Sequence, residues 1–473
     1  MNPLLADETL ASLPAHQGSP LESWGRTAES FHHKIIVLDD DPTGVQTVNH
    51  VPVYTDWEPS TIDNVFDDSS QLVFILTNSR SFSAAKTEEE HRKIANRIAA
   101  ASQKRDTPYL LISRGDSTLR GHYPLETDVL RKTLEEAHSY SIDGEIIMPF
   151  FEQGGRWTIG NIHYVKQEND LLPVGETEFA NDASFGFSAS DLTEYVEEKT
   201  NGAVSKSDVI TISIEELRTG PTQSITDKLV NASDFQKIIV NAVSEEDVAA
   251  FNLALVQALQ QGKHYLFRTG ASFTKLIGSI PSQALLTRED VRPEESDAGG
   301  LVIVGSHVRK TSEQLEALMQ LDQPEFIEFD CHLVFDEKAF AEEQTRIRTL
   351  AEQAVAGGKT AVIYTRRELV TIPDDDPDQA LAVSVKIANA LTDVVTDFSE
   401  RPAFIIAKGG ITSSDIGTRG LSVKKAMVAG QIAPGIPVWT TGRESKYAGL
   451  PYIIFPGNVG SQDTLKDIIS ELL

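Results

Sequence analysis

One cysteine, Cys331, stands alone in a chain of 473 residues, so no intrachain disulfide can form and no multi-thiolate metal site can be built. That usage fits a reducing, cytoplasmic compartment. Positive charge is also scarce: 42 Lys and Arg face 70 Asp and Glu, a formal net charge of -28. A nucleic-acid surface needs a basic stripe to displace counterions, so no nucleic-acid partner is expected. A small anion is still allowed, because a few arginines and backbone N–H groups can hold it locally. No segment approaches the roughly 20 apolar residues of a membrane span. The opening stretch MNPLLADETLASLPAHQGSPLESWGR has no basic run followed by an apolar one, and no membrane partner is expected. Residues 1–33 read as an extension, either disordered or an arm that contacts a partner. Also missing are the HExxH metal spacing, the GxSxG elbow of a serine hydrolase, the P-loop and the GxGxxG fingerprint of dinucleotide binding.

What is present is a regular alternation. KIIVLDD, QLVFILTNS, PYLLISRGD and GEIIMPFF are short apolar runs that end in polar turns, the pattern of buried strands. Between them AAKTEEEHRKIANRIAAASQK and LETDVLRKTLEEAH carry apolar residues three and four apart, the pattern of helices. Strand, helix, strand in succession predicts right-handed crossovers and a parallel sheet. From 151 to 200 the periodicity fades and irregular surface is expected. Strands resume at DVITISI, KIIVNAV and KHYLFRT, and a segment rich in Pro, Gly and acids marks a linker at 286–299. A second alternation follows, from GLVIVGSHV to YIIFPGNVG. The predicted class is α/β with two domains, 34–285 and 300–473, each with a mainly parallel sheet flanked by helices.

Polar residues gather where the strands end, the place where open α/β sheets bind ligands. The first strand delivers Asp39, Asp40 and Asp41, then Thr43 and Gly44 in a turn. Three adjacent carboxylates repel unless a cation, proton or ligand joins them, so they suit a general base or a grip on hydroxyls; an ordinary turn and helix cap is the other reading. A second strand end, SRGDSTLRG, brings Arg114, Asp116, Ser117, Thr118 and Arg120 together. Two arginines can fork onto a carboxylate ligand, or merely neutralise the neighbouring acids. The third, LTNSRS, adds Asn78 and Arg80. In the second half glycines follow strands three times, in VIVGSHV, IIAKGGITSSD and IIFPGNVG, where backbone amides can approach phosphate closely.

These residues resemble the four-carbon acid sugar kinase family. Its first strand ends in an Ala-Asp-Asp-x-Thr-Gly turn, matched by Asp40, Asp41, Thr43 and Gly44 with Asp39 in the alanine place. Its Lys-Ile-Asp-Ser-Thr-Leu-Arg-Gly loop is similar to the run from Arg114 to Gly121, with Arg114 replacing lysine. In the second half Gly305, Ser306, Thr311 and Gln314 match a Gly-Ser turn with its following Thr and Gln. Gly409, Gly410 and Thr412 match a Gly-Gly-x-Thr turn, Gly435 falls in a Pro-Gly-x-Pro turn, and Gly457 and Gly460 in a final Gly-x-x-Gly turn. Ile411 stands where an acid is frequent, and Gln431 where Glu is common.

The resemblance implies a kinase that moves the γ-phosphoryl of ATP, with Mg²⁺, to a hydroxyl of a threonate, erythronate or 3-oxo-tetronate type acid, with domain closure excluding water. Asp40, Asp41 and Asp116 are then the candidate catalytic acids. Arg114 and Arg120, with Ser117, form the expected clamp on the acid, supported by Thr43, Gly44, Asn78, Arg80 and Thr118. Gly305, Ser306, Thr311, Gln314, Gly409, Gly410, Thr412, Gly435, Gly457, Asn458 and Gly460 are the candidate nucleotide residues. No residue set is singled out for the metal, and a homo-oligomer is permitted. Two other readings are a non-catalytic sugar-acid sensor or pseudokinase, suggested by Ile411 and Gln431, and an NAD-dependent oxidoreductase, disfavoured by the missing GxGxxG.

Overall fold

The computed structural model describes residues 3–292, 296–370 and 377–473. The chain divides into two units, 1–47 with 56–281 and 48–55 with 282–473. In the first, seven parallel strands lie in the order Ile210–Ile212, Gln236–Val240, Gly144–Met148, Tyr265–Thr269, Tyr109–Arg114, Lys34–Asp39, Leu72–Leu76. All six residues of Lys34–Asp39 are buried, as expected of a strand covered on both faces. The chain leaves this strand for Leu72–Leu76 on one side, then crosses to Tyr109–Arg114 on the other. Its carboxyl end is therefore a topological switch point, and the acid run sits on it.

The second unit has five parallel strands, Glu325–Phe329, Ala361–Thr365, Leu301–Val304, Ile405–Lys408 and Pro451–Phe455. Three antiparallel strands extend them: Ile436–Thr441, Lys425–Ala433 and Val51–Tyr54. Leu301–Val304 lies between Ala361–Thr365 and Ile405–Lys408, so Gly305 also opens a switch point. Both sheets are mainly parallel and helix-flanked, the architecture read from the alternation. Among the described residues no helix is long and apolar enough to cross a membrane.

Four expectations are corrected. The region 34–285 is not one contiguous body, because the apolar strand VPVY of Val51–Tyr54 pairs with Lys425–Val428 of the second unit. The stretch 151–200 is not all irregular: Arg156–Ile159, Ile162–Gln167 and Asp170–Pro173 form an antiparallel sheet, joined at its edge by Leu4–Leu5. Most of the expected linker is packed, with Leu286 and Val291 buried in the second core and Arg292 donating to the carbonyls of Leu472 and Leu473; 293–295 lie outside the described residues.

The extension also folds, as helices Ala6–Ser12 and Pro20–Ala28. Trp24, only 3% exposed, donates its indole N–H to Leu276 O at 2.7 Å, and Phe31 is buried near it. Large aromatic burial with the polar handle satisfied is enough to dock a short amphipathic helix. Trp24→Ala should therefore cost about 3–5 kcal/mol, read as a lowered urea midpoint; an unchanged midpoint would show that the extension contributes nothing.

Candidate functional site

Three parallel strand ends bring the acids and arginines of the first unit together. Arg80 forks onto Asp40, Nη2 donating to Oδ1 at 2.6 Å and Nε to Oδ2 at 3.2 Å, and its Nη1 lies 3.5 Å from Asp41 Oδ2. Arg114 Nη1 is 3.3 Å from Asp39 Oδ1 and 3.6 Å from Asp40 Oδ1. Arg120 Nε donates to Asp116 Oδ2 at 2.6 Å, and Thr118 donates its hydroxyl to the same oxygen. Thr43 donates both its backbone N–H, at 2.8 Å, and its hydroxyl to Asp41 Oδ1.

Burial separates the acids by role. Asp39 is fully enclosed, and desolvation drives its carboxyl up to about 8 against the pull of Arg114. Burial also raises Asp40, opposed by Arg80 and Arg114. For Asp41 burial acts in the same sense, but Arg80 and the two Thr43 hydrogen bonds outweigh it and the carboxyl ends below its usual range. Asp116 is likewise held low, burial being overcome by Arg80, Arg120 and Thr118. Asp41 and Asp116 keep part of their surface open, 18% and 13%, whereas Asp39 and Asp40 have 2%. Two ionised, reachable carboxylates thus stand on two buried ones.

The clamp expected of Arg114 and Arg120 is altered by this pairing. Arg114 is 3% exposed and turns its Nη1 to Asp39 and Asp40, a placement that balances the acids and leaves little of its surface for a ligand. Arg120 and Arg80 retain 24% and 21% exposure, and Arg120 also lies over the Phe179 ring. Asn78 adopts a left-handed turn with its N–H on Asp39 O at 3.3 Å, and Ser117 is buried with its carbonyl 2.8 Å from His163 Nε2. Gly44 sits directly over the Asp39 carboxylate.

Sequence reasoning missed a fourth arginine. Arg268, at the end of Tyr265–Thr269, is buried, donates to Glu126 and to Ser113 Oγ (2.9 Å), and lies where a methyl on Gly115 would overlap its guanidinium. Only its place at the end of an apolar run, in LFRTG, could have signalled it. Glu126 and Arg156, the latter over the Phe179 ring, were missed as well.

In the second unit Gly305, Ser306, Gly409, Gly410, Ile411 and Thr412 line a cavity of about 550 Å³ together with the apolar Leu369, Val383, Ile387 and Leu391. Gly409 has φ +130, and a Cβ there would stand 3.0 Å from Thr412 Oγ1, so only glycine lets the turn close. Gly457 abuts Ser306, a Cβ there lying 3.1 Å from its Oγ, and exposed Asn458 follows. Thr311 and Gln314 are fully buried and hold the final turn, donating to Gly457 O (3.1 Å) and to Val459 and Ser461 O (3.0 and 2.7 Å). Their side chains support that turn and are not open to a ligand. Gly460 packs against Thr464, and Gly435 turns the hairpin between Lys425–Ala433 and Ile436–Thr441, outside the cavity lining. Lys408, another residue missed, is fully buried beside this cradle; its Nζ donates to Pro456 O (2.6 Å) and Gly457 O (3.2 Å), and burial with nearby Lys310 lowers it to about 7.

Residues 35–277 match the family model described as a sugar-binding N-terminal domain, more than half of the chain, and 301–465 match that of a nucleotide-binding C-terminal domain. The chain belongs to the four-carbon acid sugar kinase family. A D-erythronate kinase of Heliobacterium modesticaldum is 23% identical over 322 residues, a match spanning 66% of this chain and 66% of that relative's own length. Two solved structures show the family fold: a Salmonella typhimurium LT2 protein described as a putative tRNA synthase (TM-score 0.65, 15% identity, 94% of this chain and 99% of that one) and the Haemophilus influenzae protein HI1011 (0.60, 16%, 93% and 100%).

The raised Asp39 carboxyl makes a pH signature for this site. A folded-state value near 8 against 3.8 means that the folded protein holds a proton the unfolded chain has released. Stability from this group therefore falls as pH rises from about 4 to about 8. Asp39→Asn should gain stability relative to the parent across that window, measured as the difference in urea midpoints; a difference independent of pH would show Asp39 to be ionised.

Proposed function

We propose that the chain is an ATP-dependent kinase that phosphorylates a hydroxyl of a four-carbon sugar acid of threonate, erythronate or 3-oxo-tetronate type, with the acid on the first unit and the nucleotide on the second. The observation that carries this reading is the pair of open carboxylates, Asp41 and Asp116, kept ionised between arginines that still have exposed faces. Arg120 and Arg80 would fork onto the carboxylate of the acid. Asp41 would accept a hydrogen bond from the attacking hydroxyl. Its lowered proton affinity is no obstacle, because phosphoryl transfer through a loose transition state asks mainly for orientation of the nucleophile. Asp40 is closed to substrate and would fix Arg80. Asp116, spent on Arg120 and Thr118, would hold the clamp.

On the second unit the glycine turns would take the phosphates and the apolar wall the base. Mg²⁺ takes oxygen ligands and commonly arrives on phosphates with its water shell. Among the described residues no carboxylate lines the cavity and no cluster of three acids, His or Cys offers a cage. The fit is to an ion carried by the nucleotide, with the Ser306 and Thr412 hydroxyls as the oxygen donors at hand. When bound, the ion would neutralise phosphate charge.

One observation favours a non-catalytic sugar-acid sensor instead: Ile411, where the family often has an acid, is apolar and 64% exposed at the cavity. A panel of four-carbon acids assayed for ADP release separates the two, and tight acid binding without turnover would support the sensor. For the kinase, Asp41→Asn should leave the fold intact and lower turnover by about two to four orders of magnitude; parental turnover would remove Asp41 from the chemistry. Arg120→Ala should chiefly raise the KM for the acid, and an unchanged KM would refute the clamp.

A further inference from the structure

The first unit matches Arg80, Arg114, Arg120 and Arg268 to acids, but the cradle of the second leaves its cations on neutral acceptors. Arg367, just past Ala361–Thr365, is half-buried and donates from Nη2 to Ser306 O and Ser312 Oγ, both at 2.8 Å, and from Nε to Ser312 Oγ at 3.3 Å. Its Nη1 has only a long contact, 3.4 Å, with Thr365 Oγ1. Among the described residues it forms no ion pair, although its neighbour Arg366 pairs with Asp330 at 3.1 Å and acids outnumber bases 70 to 42. Burial destabilises the Arg367 charge, a cost that an arriving anion would offset. Lys408 repeats the pattern on the next strand but one: a fully buried ammonium resting on the carbonyls of Pro456 and Gly457, with no carboxylate partner among the described residues. Exposed Lys310 lies close to Lys408, and among the described residues no acid lines the adjoining cavity.

We propose that Arg367, through its under-used Nη1 edge and with Lys408 behind the glycine turns, recognises the outer phosphates of a nucleoside di- or triphosphate at Gly305–Ser306 and so discriminates against the monophosphate. A guanidinium suits this task because its fork can hold a protein carbonyl with one edge and a phosphate with the other. The backbone turns alone would grip any single phosphate. The inference rests on the nucleotide reading of this unit.

Calorimetric titration of the intact chain with AMP, ADP and ATP tests it. The parent should bind ADP and ATP more tightly than AMP. Arg367→Gln should weaken ATP by about ten- to a hundred-fold, the worth of charge-assisted hydrogen bonds, and leave AMP within about two-fold. Arg367→Lys should recover part of the ATP affinity. An equal loss for all three nucleotides would mean that Arg367 only props the Ser306 turn, and unchanged ATP affinity would mean that it meets no phosphate; either overturns the inference and leaves the nucleotide reading standing. Failure of the parent to bind any of the three would remove both.

Discussion

Burying carboxylates at the end of a central strand is costly unless each meets a cation, and the first unit is organised around that requirement. Asp39, Asp40, Asp41, Asp116 and Glu126 are held by Arg80, Arg114, Arg120 and Arg268. The four guanidiniums come from three strand ends and the loops behind them, and all but the local Arg120–Asp116 pair join residues distant in the chain, so most of the charge balance exists only once the parallel sheet has formed. The glycines at 44 and 115 follow from the same constraint, since side chains there would displace the Asp39 carboxylate and the Arg268 guanidinium. The pairing also grades the acids. Those enclosed become structural, and those at the rim stay charged and reachable.

On the proposed function the second unit addresses the opposite problem, holding a polyanion in a protein of strongly negative charge. Local geometry counts for more there than net charge. Glycine turns expose backbone amides, and among the described residues the cavity wall carries no acid and Arg367 and Lys408 rest on carbonyls and hydroxyls instead of carboxylates. A cation left on neutral acceptors keeps its field available to a ligand. One enclosed against carboxylates, like Arg114, keeps less of it, whereas Arg80 and Arg120 retain exposed faces.

Much of this was legible in the chain. The strands from Lys34–Asp39 to Gly144–Met148 are apolar runs bounded by turns, and the long helices Ala84–Arg105 and Leu125–Ala137 carry clear periodicity. The acids, Arg80, Arg114 and Arg120 were found because they cluster within a few positions of strand ends. Short or edge elements were not legible. Val51–Tyr54 is four residues long and owes its structure to pairing with Lys425–Val428, and the helix bearing Trp24 owes its place to a pocket built far along the chain. Arg268 stands singly in sequence and Arg367 beside Arg366, and apart from following an apolar run neither is distinguished locally from a surface arginine.

The amino-acid sequence by itself determined the α/β class, the two-part organisation and which strand ends carry polar chemistry, because periodicity and turn residues are local properties that survive without tertiary context. Only the tertiary structure decided which carboxylates are charged and open, which arginines are spent and which are left over, and that Thr311, Gln314 and Gly435 do not line the cavity. Those outcomes depend on desolvation and on partners distant in the chain, and both arise when separate strands are brought side by side.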